Sequence, residues 1–486
     1  MPQFYIQNFG CRATQADGAA IEHQFQQQGL EQAPNTASAD WIVLNTCAVT
    51  AAAEQDARAA IRRIRRGNPN GKIVVTGCYA QRVPQEVAAL DGVWRVIGNS
   101  HKSNLAEIAT CQPSADDNLR PSAFVPVESL GGFDGPAIST SGSAEIYVSD
   151  IFAHTELIAA PVFDSANERT RPNLKVQDGC NNRCSFCIIP SVRGRSRSMS
   201  AADVVHQVRE LVESGYREVV ISGINLGRWG RDLESSPVRG QPPSPVRSSE
   251  ARQVVLQPES AHQNLEGLVR AILDQTRLEK LRISSVEPMD WTDSLIRLIA
   301  ESPRIAKHAH VPMQSGSDGV LRRMHRKYRP WHYREKIEKI RAAMPTAAIG
   351  ADVMVGFPGE TDAEFGETRR MIEDLPFTYL HVFTFSARPG TPAASMPGQV
   401  PVQVARERNR ILRELGSRKK FEFMRSFIGR DVDAITLSVT TQDSCGTWTE
   451  ALTDNYLKLK MRGHHAANRW LQVPVNAVEN GHLTAA

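Results

Sequence analysis

Cysteines are the residues of this 486-residue chain with the clearest capacity for chemistry, and it has eight of them. Three stand in the run DGCNNRCSFC, with C-x3-C-x2-C spacing, directly after a predicted strand: Cys180, Cys184 and Cys187. Thiolates this close can bind three irons of one [4Fe-4S] cluster and leave the fourth iron open to a substrate. A zinc site is the alternative. Structural zinc usually has four protein ligands, however, and no fourth cysteine or histidine lies nearby.

A second set of three cysteines is spread along the first eighty residues. Cys11 ends the run FYIQNFGC, Cys47 ends WIVLNTC and Cys78 ends KIVVTGC, each just after a predicted strand. Because neighbouring parallel strands direct their carboxyl ends to one crevice, these distant thiols can meet. The placement predicts a second [4Fe-4S] cluster, although any one of them alone would more often be a buried small hydrophobe. Cys111 and Cys445 fit neither set and are predicted to be structural or incidental.

The composition limits the class of protein. The chain is 41% hydrophobic and 23% charged, which is typical of a globular protein. No apolar run approaches the roughly 18 residues that a membrane span needs, and MPQFYIQNFGC does not resemble a secretory signal. We therefore expect no membrane association and a cytoplasmic location, where thiols stay reduced. The net charge of +4 permits a nucleic-acid partner without requiring one.

The elements that must position the cysteines predict an α/β protein of three parts. Alternating strand and helix signals over residues 1–112 indicate an N-terminal parallel-sheet α/β domain. Repeated strand–helix units within 166–403 indicate a partial TIM-type (β/α)6 barrel, whose function lies at the strand carboxyl ends. Residues 113–165 are a predicted linker, and 234–262 a Pro/Ser/Arg-rich disordered insertion. Barrel strands are expected at 174–177, 218–222, 281–285, 308–312, 349–355 and 379–385.

The C-terminal part is predicted to consist of a basic helical connector at 404–425 and a small β-barrel at 426–480. Residues 404–430 contain nine basic residues and three acids, among them Arg406, Arg408, Arg410, Arg413, Arg418, Lys419 and Lys420. Basic patches bind phosphates and aromatic rings stack splayed bases, although a solvated helix face is the alternative. A second basic cluster and its two aromatic residues comprise Arg322, Arg323, Arg326, Lys327, Tyr328, Arg329 and Trp331.

The run DGCNNRCSFCIIP resembles the radical S-adenosylmethionine (SAM) superfamily. This resemblance implies that the amino and carboxylate groups of SAM chelate the open iron. It also implies that an electron passed through the cluster splits SAM into methionine and a 5′-deoxyadenosyl radical. Phe186 matches the aromatic residue usual before the third cysteine. Strand-end positions at which the superfamily binds SAM imply contacts from Ser222, Gly223, Glu287 and Asp352, for which barrel packing is the alternative.

With its two cysteine sets and C-terminal β-module, the chain resembles the methylthiotransferase family over residues 3–108 and 173–475. The resemblance implies that the small β-barrel at 426–480 is an RNA-binding domain. The resemblance implies that Cys180, Cys184 and Cys187 hold the radical-generating cluster. It implies that Cys11, Cys47 and Cys78 hold an auxiliary cluster that serves sulfur insertion. Two SAM molecules are then used per turnover: one methylates sulfur at the auxiliary cluster, and the other supplies the radical.

The runs IIPSVRGRSRS, ADVMVGFPGET and HVFTFSARPGTP most resemble the branch that converts N6-threonylcarbamoyladenosine at position 37 of tRNA to its 2-methylthio form. This implies a tRNA anticodon stem-loop as partner, an electron donor such as a flavodoxin or ferredoxin, and a sulfur source. Three alternatives remain open. The same chemistry can act on N6-isopentenyladenosine-37 or on a ribosomal-protein aspartate. The chain can also be a non-catalytic iron–sulfur RNA-binding protein, or a zinc protein.

Overall fold

A computed structural model describes residues 1–111, 144–154, 157, 171–233, 263–443 and 446–485. The predicted insertion at 234–262, most of the predicted linker and Cys445 lie outside the described residues. Within these ranges, no helix combines the length and the apolar character needed to cross a membrane.

The N-terminal part is a parallel sheet covered by helices, as predicted. Its strands are β1 Gln3–Asn8, β2 Glu31–Gln32, β3 Trp41–Thr46, β4 Lys72–Gly77, β5 Val93–Ile97 and β6 Glu145–Tyr147. Its helices are α1 Arg12–Gln27, α2 Ala51–Gly67, α3 Cys78–Arg82, α4 Pro84–Ala88 and α5 Leu105–Thr110. The strand order is β2-β1-β3-β4-β5-β6, and every neighbouring pair is parallel. Strand β6 lies inside the predicted linker, so the sequence pattern missed this edge strand.

Local sequence explains why the central N-terminal strands and α2 form. Strand β3, WIVLNT, is buried along its whole length, as expected of a parallel strand covered on both faces. Helix α2 begins where the Thr50 side chain accepts a hydrogen bond from the Ala53 N–H at 3.2 Å. Its buried face repeats at helical spacing through Ala57, Ile61 and Ile64.

The central part supplies six parallel strands in the predicted chain order, together with one short antiparallel strand. The strands are β7 Asn173–Asp178, β8 Arg197–Ser198, β9 Glu218–Gly223, β10 Lys280–Ile283, β11 His308–His310, β12 Ala348–Val355 and β13 Tyr379–Thr384. The helices are α6 Ile189–Arg193, α7 Ala201–Glu213, α8 Leu265–Gln275, α9 Asp293–Glu301, α10 Asp318–Arg323, α11 Pro330–Ala343 and α12 Asp362–Asp374.

These strands form two sheets, β10-β9-β7-β8 and β11-β12-β13. Isolated parallel bridges, Ser285 to His310 and Leu281 to Ile305, connect the two sheets at β10 and β11. The β/α succession of the expected barrel is therefore present, while closure into a single (β/α)6 barrel stays a prediction. Helix α7 is capped by Ser200, whose hydroxyl accepts from the Asp203 N–H at 3.1 Å and donates to the Asp203 carboxylate at 2.6 Å.

The C-terminal part follows the long helix α13 Val402–Arg425, which spans the basic stretch at 404–425. Its strands are β14 Asp431–Asp443, β15 Gly446–Thr453, β16 Lys458–Arg462, β17 Trp470–Pro474, β18 Ala477–Glu479 and β19 His482–Ala485. The sheet order is β17-β14-β15-β16-β19-β18, antiparallel except for the parallel pair β16 and β19. The pairs among the described strands do not close into the small β-barrel predicted for 426–480, and the last strand extends past that boundary.

Candidate active site

The cysteines of the C-x3-C-x2-C run, here called the loop cysteines (Cys180, Cys184 and Cys187), occupy the loop between β7 and α6. Gly179 begins this loop with a φ of +68°, and a Cβ atom there would lie 2.0 Å from the Arg195 carbonyl oxygen. Only glycine fits this turn. The Cys180 N–H donates to the Gly194 carbonyl at 3.1 Å, and the Cys187 N–H to the Cys184 carbonyl at 3.1 Å. These bonds fix the backbone of the loop that carries the three thiols.

N–H donors are directed at two of these sulfurs. The Cys180 sulfur accepts from the Asn182 backbone at 3.4 Å and from the Asn225 amide at 3.5 Å. The Cys184 sulfur accepts from the buried Arg326 guanidinium at 3.2 Å. Burial, with a smaller contribution from the neighbouring Cys184 and Cys180, raises the pKa of the Cys187 thiol to about 12. The donors stabilise thiolate, the form in which cysteine binds iron. Because burial favours the protonated thiol of Cys187, metal loading must displace its proton.

The three N-terminal cysteines, here called the auxiliary cysteines (Cys11, Cys47 and Cys78), follow β1, β3 and β4. These strands are adjacent in the sheet. A Cβ atom at Gly10 would lie 2.6 Å from the Cys47 Cβ, so the Cys11 turn packs directly on Cys47. Burial raises the pKa of Cys47 to about 11, and the charges of Cys78 and Cys11 also raise it, because these thiols are close. The structure therefore brings the predicted set together.

A buried cluster of charges lies beside the auxiliary cysteines. Asp17 of α1 accepts from Lys102 at 3.0 Å, from Arg193 at 2.9 Å and from Lys175. Asp178 accepts from Arg193 and from Lys175, each at 3.0 Å. All five side chains are almost wholly buried, so three cations face two carboxylates. The charges of Cys78 and Cys11 favour the charged form of Arg193, and the charge of Cys78 favours the charged form of Lys102. We call these five residues the buried charge cluster.

Both cysteine sets have the surroundings that a thiolate-bound iron–sulfur cluster requires. The auxiliary cysteines lie beside a buried excess of positive charge, which an anionic cluster would balance. The loop cysteines meet N–H donors and the Arg326 guanidinium. Within the described residues, no three His, Cys, Asp or Glu side chains are arranged to hold a single metal ion.

A cavity of about 610 Å³ joins the two cysteine sets, since the loop cysteines and Cys11 all line it. All five residues predicted to contact SAM also line this cavity: Phe186, Ser222, Gly223, Glu287 and Asp352. The Ser222 hydroxyl and the Asn225 amide oxygen are buried there with no hydrogen-bond partner among the described residues. Such orphaned polar atoms suit a polar ligand. The specific SAM roles of the five residues stay a prediction.

Several residues assigned to RNA binding from sequence have structural positions instead. Tyr328 is fully buried and donates to the Met313 carbonyl at 2.7 Å, so the prediction that it stacks a base was wrong. Arg326 belongs to the loop-cysteine site, and Arg408 is buried against the Glu360 carboxylate at 2.7 Å. Trp331 is exposed and is not among the residues that line the cavity. No signal in the sequence separated these buried arginines from the exposed ones around them.

Comparisons with known proteins agree with this geometry. Residues 3–98 match "Uncharacterized protein family UPF0004", and residues 174–372 match the radical SAM superfamily. A solved structure of the radical S-adenosylmethionine methyltransferase TsrM from Kitasatospora setae shares the fold. Its TM-score is 0.55 at 14% identity, over 81% of this chain and 75% of that one. Fold and cysteine loop together define a radical SAM protein with a second cysteine site.

Curated relatives identify the family within the radical SAM superfamily. The threonylcarbamoyladenosine tRNA methylthiotransferase MtaB of Bacillus subtilis is 34% identical over 93% of this chain and 89% of that protein. The tRNA-2-methylthio-N(6)-dimethylallyladenosine synthase of Thermobifida fusca is 31% identical over 89% of this chain and 77% of that protein. The chain belongs to the radical SAM methylthiotransferase family, in its MtaB branch.

Gly10→Ala tests the contact between the Cys11 turn and Cys47. The new methyl group would meet Cys47, and the φ of +98° at this position is unfavourable for alanine. We expect the variant to lose most auxiliary iron, about half of the total, while 5′-deoxyadenosine release from SAM continues. Iron and sulfide analysis after anaerobic reconstitution measures the loss. Gly29→Ala is the control, because Gly29 also has positive φ but no atom lies within 4 Å of its Cβ position. Equal iron in both variants would contradict the proposed contact.

Proposed function

We propose that this chain inserts a methylthio group at C2 of N6-threonylcarbamoyladenosine at position 37 of tRNA, using two SAM molecules per turnover. The observation that carries the proposal is the single cavity lined both by the loop cysteines and by Cys11. Groups held by the two cysteine sets would share this cavity, so one substrate carbon placed in it would be accessible to both. Similarity to the MtaB proteins over nearly the whole chain supports this choice of substrate.

The cofactors implied by the family are two [4Fe-4S] clusters and SAM. The loop cysteines would hold the first cluster and the auxiliary cysteines the second. When bound, these groups supply a radical that removes hydrogen from an unactivated carbon, together with the sulfur that replaces it. The chain itself binds and orients these groups and the substrate. Ser222, Asn225 and Glu287 offer polar atoms to SAM, and Arg326 holds Glu287 beside Cys184.

The tRNA would lie along exposed cations of α13. Arg406, Arg413 and Arg418 are exposed on this helix, and two of them line a groove with Asn409. Such cations attract the phosphates of an anticodon stem-loop. Arg410 contributes less, because it is paired with Glu407 and Glu414 at 2.6 Å each. The target base then leaves its stack and enters the cavity, as enzymes acting on a base require.

The reaction also requires partners. We expect an electron donor such as a flavodoxin or ferredoxin to reduce the radical-generating cluster, and a separate sulfur source to replenish the auxiliary one. We place the enzyme in the cytoplasm, where tRNA is available and thiols stay reduced.

Deleting the gene tests the proposed substrate directly. We expect 2-methylthio-N6-threonylcarbamoyladenosine to disappear from the tRNA of the deletion strain, with its unmethylthiolated precursor in its place. Mass spectrometry of the nucleosides measures this, and re-expression of the wild-type chain should restore the modification. An unchanged level of 2-methylthio-N6-threonylcarbamoyladenosine would contradict the proposal. Loss of the isopentenyladenosine derivative instead would assign the enzyme to the other tRNA branch, represented by the T. fusca relative.

A further inference from the structure

A group of aromatic and imidazole rings lines the same cavity as the cysteines: His308, His310, Tyr379, His381 and Tyr456. Tyr379 lies parallel to His308, with 5.9 Å between ring centroids, and the His308 ring nitrogen meets the Tyr379 hydroxyl at 2.7 Å. Tyr456 lies 4.9 Å from His308 and 6.1 Å from Tyr379. His310 and His381 extend the group at 5.9 and 5.3 Å from Tyr379. The rings therefore form one continuous surface.

Tyr456 comes from the C-terminal sheet rather than from the central part. It lies in the turn between β15 and β16 with a φ of +69°, a conformation that tyrosine rarely adopts. The turn is fastened to the central part by Arg282, which donates to the Asp454 carbonyl at 3.0 Å. Asn455 also donates from this turn to the Thr346 carbonyl at 3.0 Å. An unfavourable conformation held by contacts from both sides is typical of a functional position.

Tyr379 is equally constrained. A Cβ atom at Gly350 of β12 would lie 1.9 Å from the Tyr379 Cζ atom, so the ring lies directly over the glycine backbone. Arg282, which also lines the cavity, places its guanidinium 5.4 Å from the centre of the Tyr456 ring and is itself buried against Glu218 at 2.6 Å. The positions of both tyrosines are thus set by glycine and arginine residues beneath them.

We propose that Tyr456 and Tyr379, with His308, form the binding site for the adenine base that is drawn out of the tRNA loop. The C-terminal sheet then completes the active site in addition to contacting RNA. The inference rests on the proposed function and deepens it. Extruded bases stack on aromatic faces, and histidine N–H groups can donate to a carboxylate such as that of the threonylcarbamoyl substituent. The adenine of SAM is the other purine that enters this cavity, so the experiment must separate the two.

The test uses the full chain, with both clusters reconstituted, and an anticodon stem-loop. Tyr456→Ala is expected to reduce kcat/KM for the modified stem-loop by about 10- to 100-fold, the usual effect of losing one base–aromatic stack. Tyr456→Phe keeps the ring and should recover most of that loss. Release of 5′-deoxyadenosine from SAM without RNA should be unchanged in both variants. A stem-loop with 2-aminopurine at position 37 reports stacking directly, and its quenching on binding should weaken in Tyr456→Ala.

Tyr379→Leu provides a second variant with the same expected result, should Tyr456→Ala not fold. Trp331→Ala is the matched control: it removes an exposed aromatic ring outside the cavity, so 2-aminopurine quenching should be unchanged even where Trp331 contacts RNA elsewhere. Unchanged 2-aminopurine quenching in both tyrosine variants would overturn the proposal. So would a matching loss of RNA-independent SAM cleavage, which would assign the rings to SAM. If quenching depends on Tyr456 but no methylthiolation occurs in the wild type, the base-binding site is supported and the proposed function is contradicted.

Discussion

Replacing the three loop cysteines by alanine should abolish 5′-deoxyadenosine release and methylthiolation while about half of the iron remains. The reason is that Cys180, Cys184 and Cys187 belong to one loop, whereas the auxiliary cysteines follow strands of a separate sheet. Each set can hold its cluster without the other. We expect about eight irons per chain in the wild type and about four in the triple variant. Iron and sulfide analysis, with chromatography of the SAM products, measures both outcomes.

The reciprocal variant and one single substitution complete this experiment. Replacing Cys11, Cys47 and Cys78 should also leave about four irons, but SAM cleavage should persist without methylthio transfer. Cys111→Ala is the matched control, because Cys111 is an exposed cysteine that belongs to neither set. It should keep all iron and full activity. Loss of all iron from either triple variant would show that the two clusters depend on each other.

The arrangement of the six cysteines could be predicted because it follows from strand periodicity alone. Cys11, Cys47 and Cys78 each stand just beyond a buried strand, and parallel strands place such positions at one edge. The C-x3-C-x2-C run needs only its own loop. The residues predicted to contact SAM came together in one cavity, because Ser222 and Asp352 lie on the parallel strands β9 and β12. Local order along the chain therefore determines most of this site.

The contacts between parts of the chain could not be predicted in the same way. Asp17 and Lys175 are 158 positions apart, and neither lies in a pattern that distinguishes a buried charge from an exposed one. Tyr456 enters the cavity only because its turn docks on Arg282, which no local propensity encodes. The edge strand β6 was missed for a related reason. It is three residues long and forms only by pairing with β5.

Asp17→Asn should destabilise the protein by about 3–5 kcal/mol, because it leaves Lys102, Lys175 and Arg193 buried with a single carboxylate between them. Asp17 belongs to the N-terminal part, and Lys175 and Arg193 belong to the central part. The loss of stability should therefore weaken the contact between these two parts. We expect the first unfolding transition in urea to move to lower concentration, and auxiliary iron to be lost with it. Asp293→Asn is the control, since the Asp293–Lys339 pair at 3.1 Å is exposed. That variant should unfold like the wild type.

Acid should reproduce this effect in the wild type. Burial alone would raise the pKa of Asp17, but the charges of Arg193, Lys102 and Lys175 outweigh it and hold that pKa well below its usual value. The pKa of Asp178 is lowered for the same reason, chiefly by Arg193 and Lys175. A carboxylate with a lowered folded-state pKa stabilises the fold above its ordinary pKa of about 4, and the stabilisation is lost as the pH falls below that value. The metal-free wild type should therefore lose stability steeply below about pH 4, and Asp17→Asn less steeply, because one of the two titrating groups is gone. Thermal melts from pH 7 to pH 3 measure both slopes. Parallel slopes would show that Asp17 does not carry the acid sensitivity.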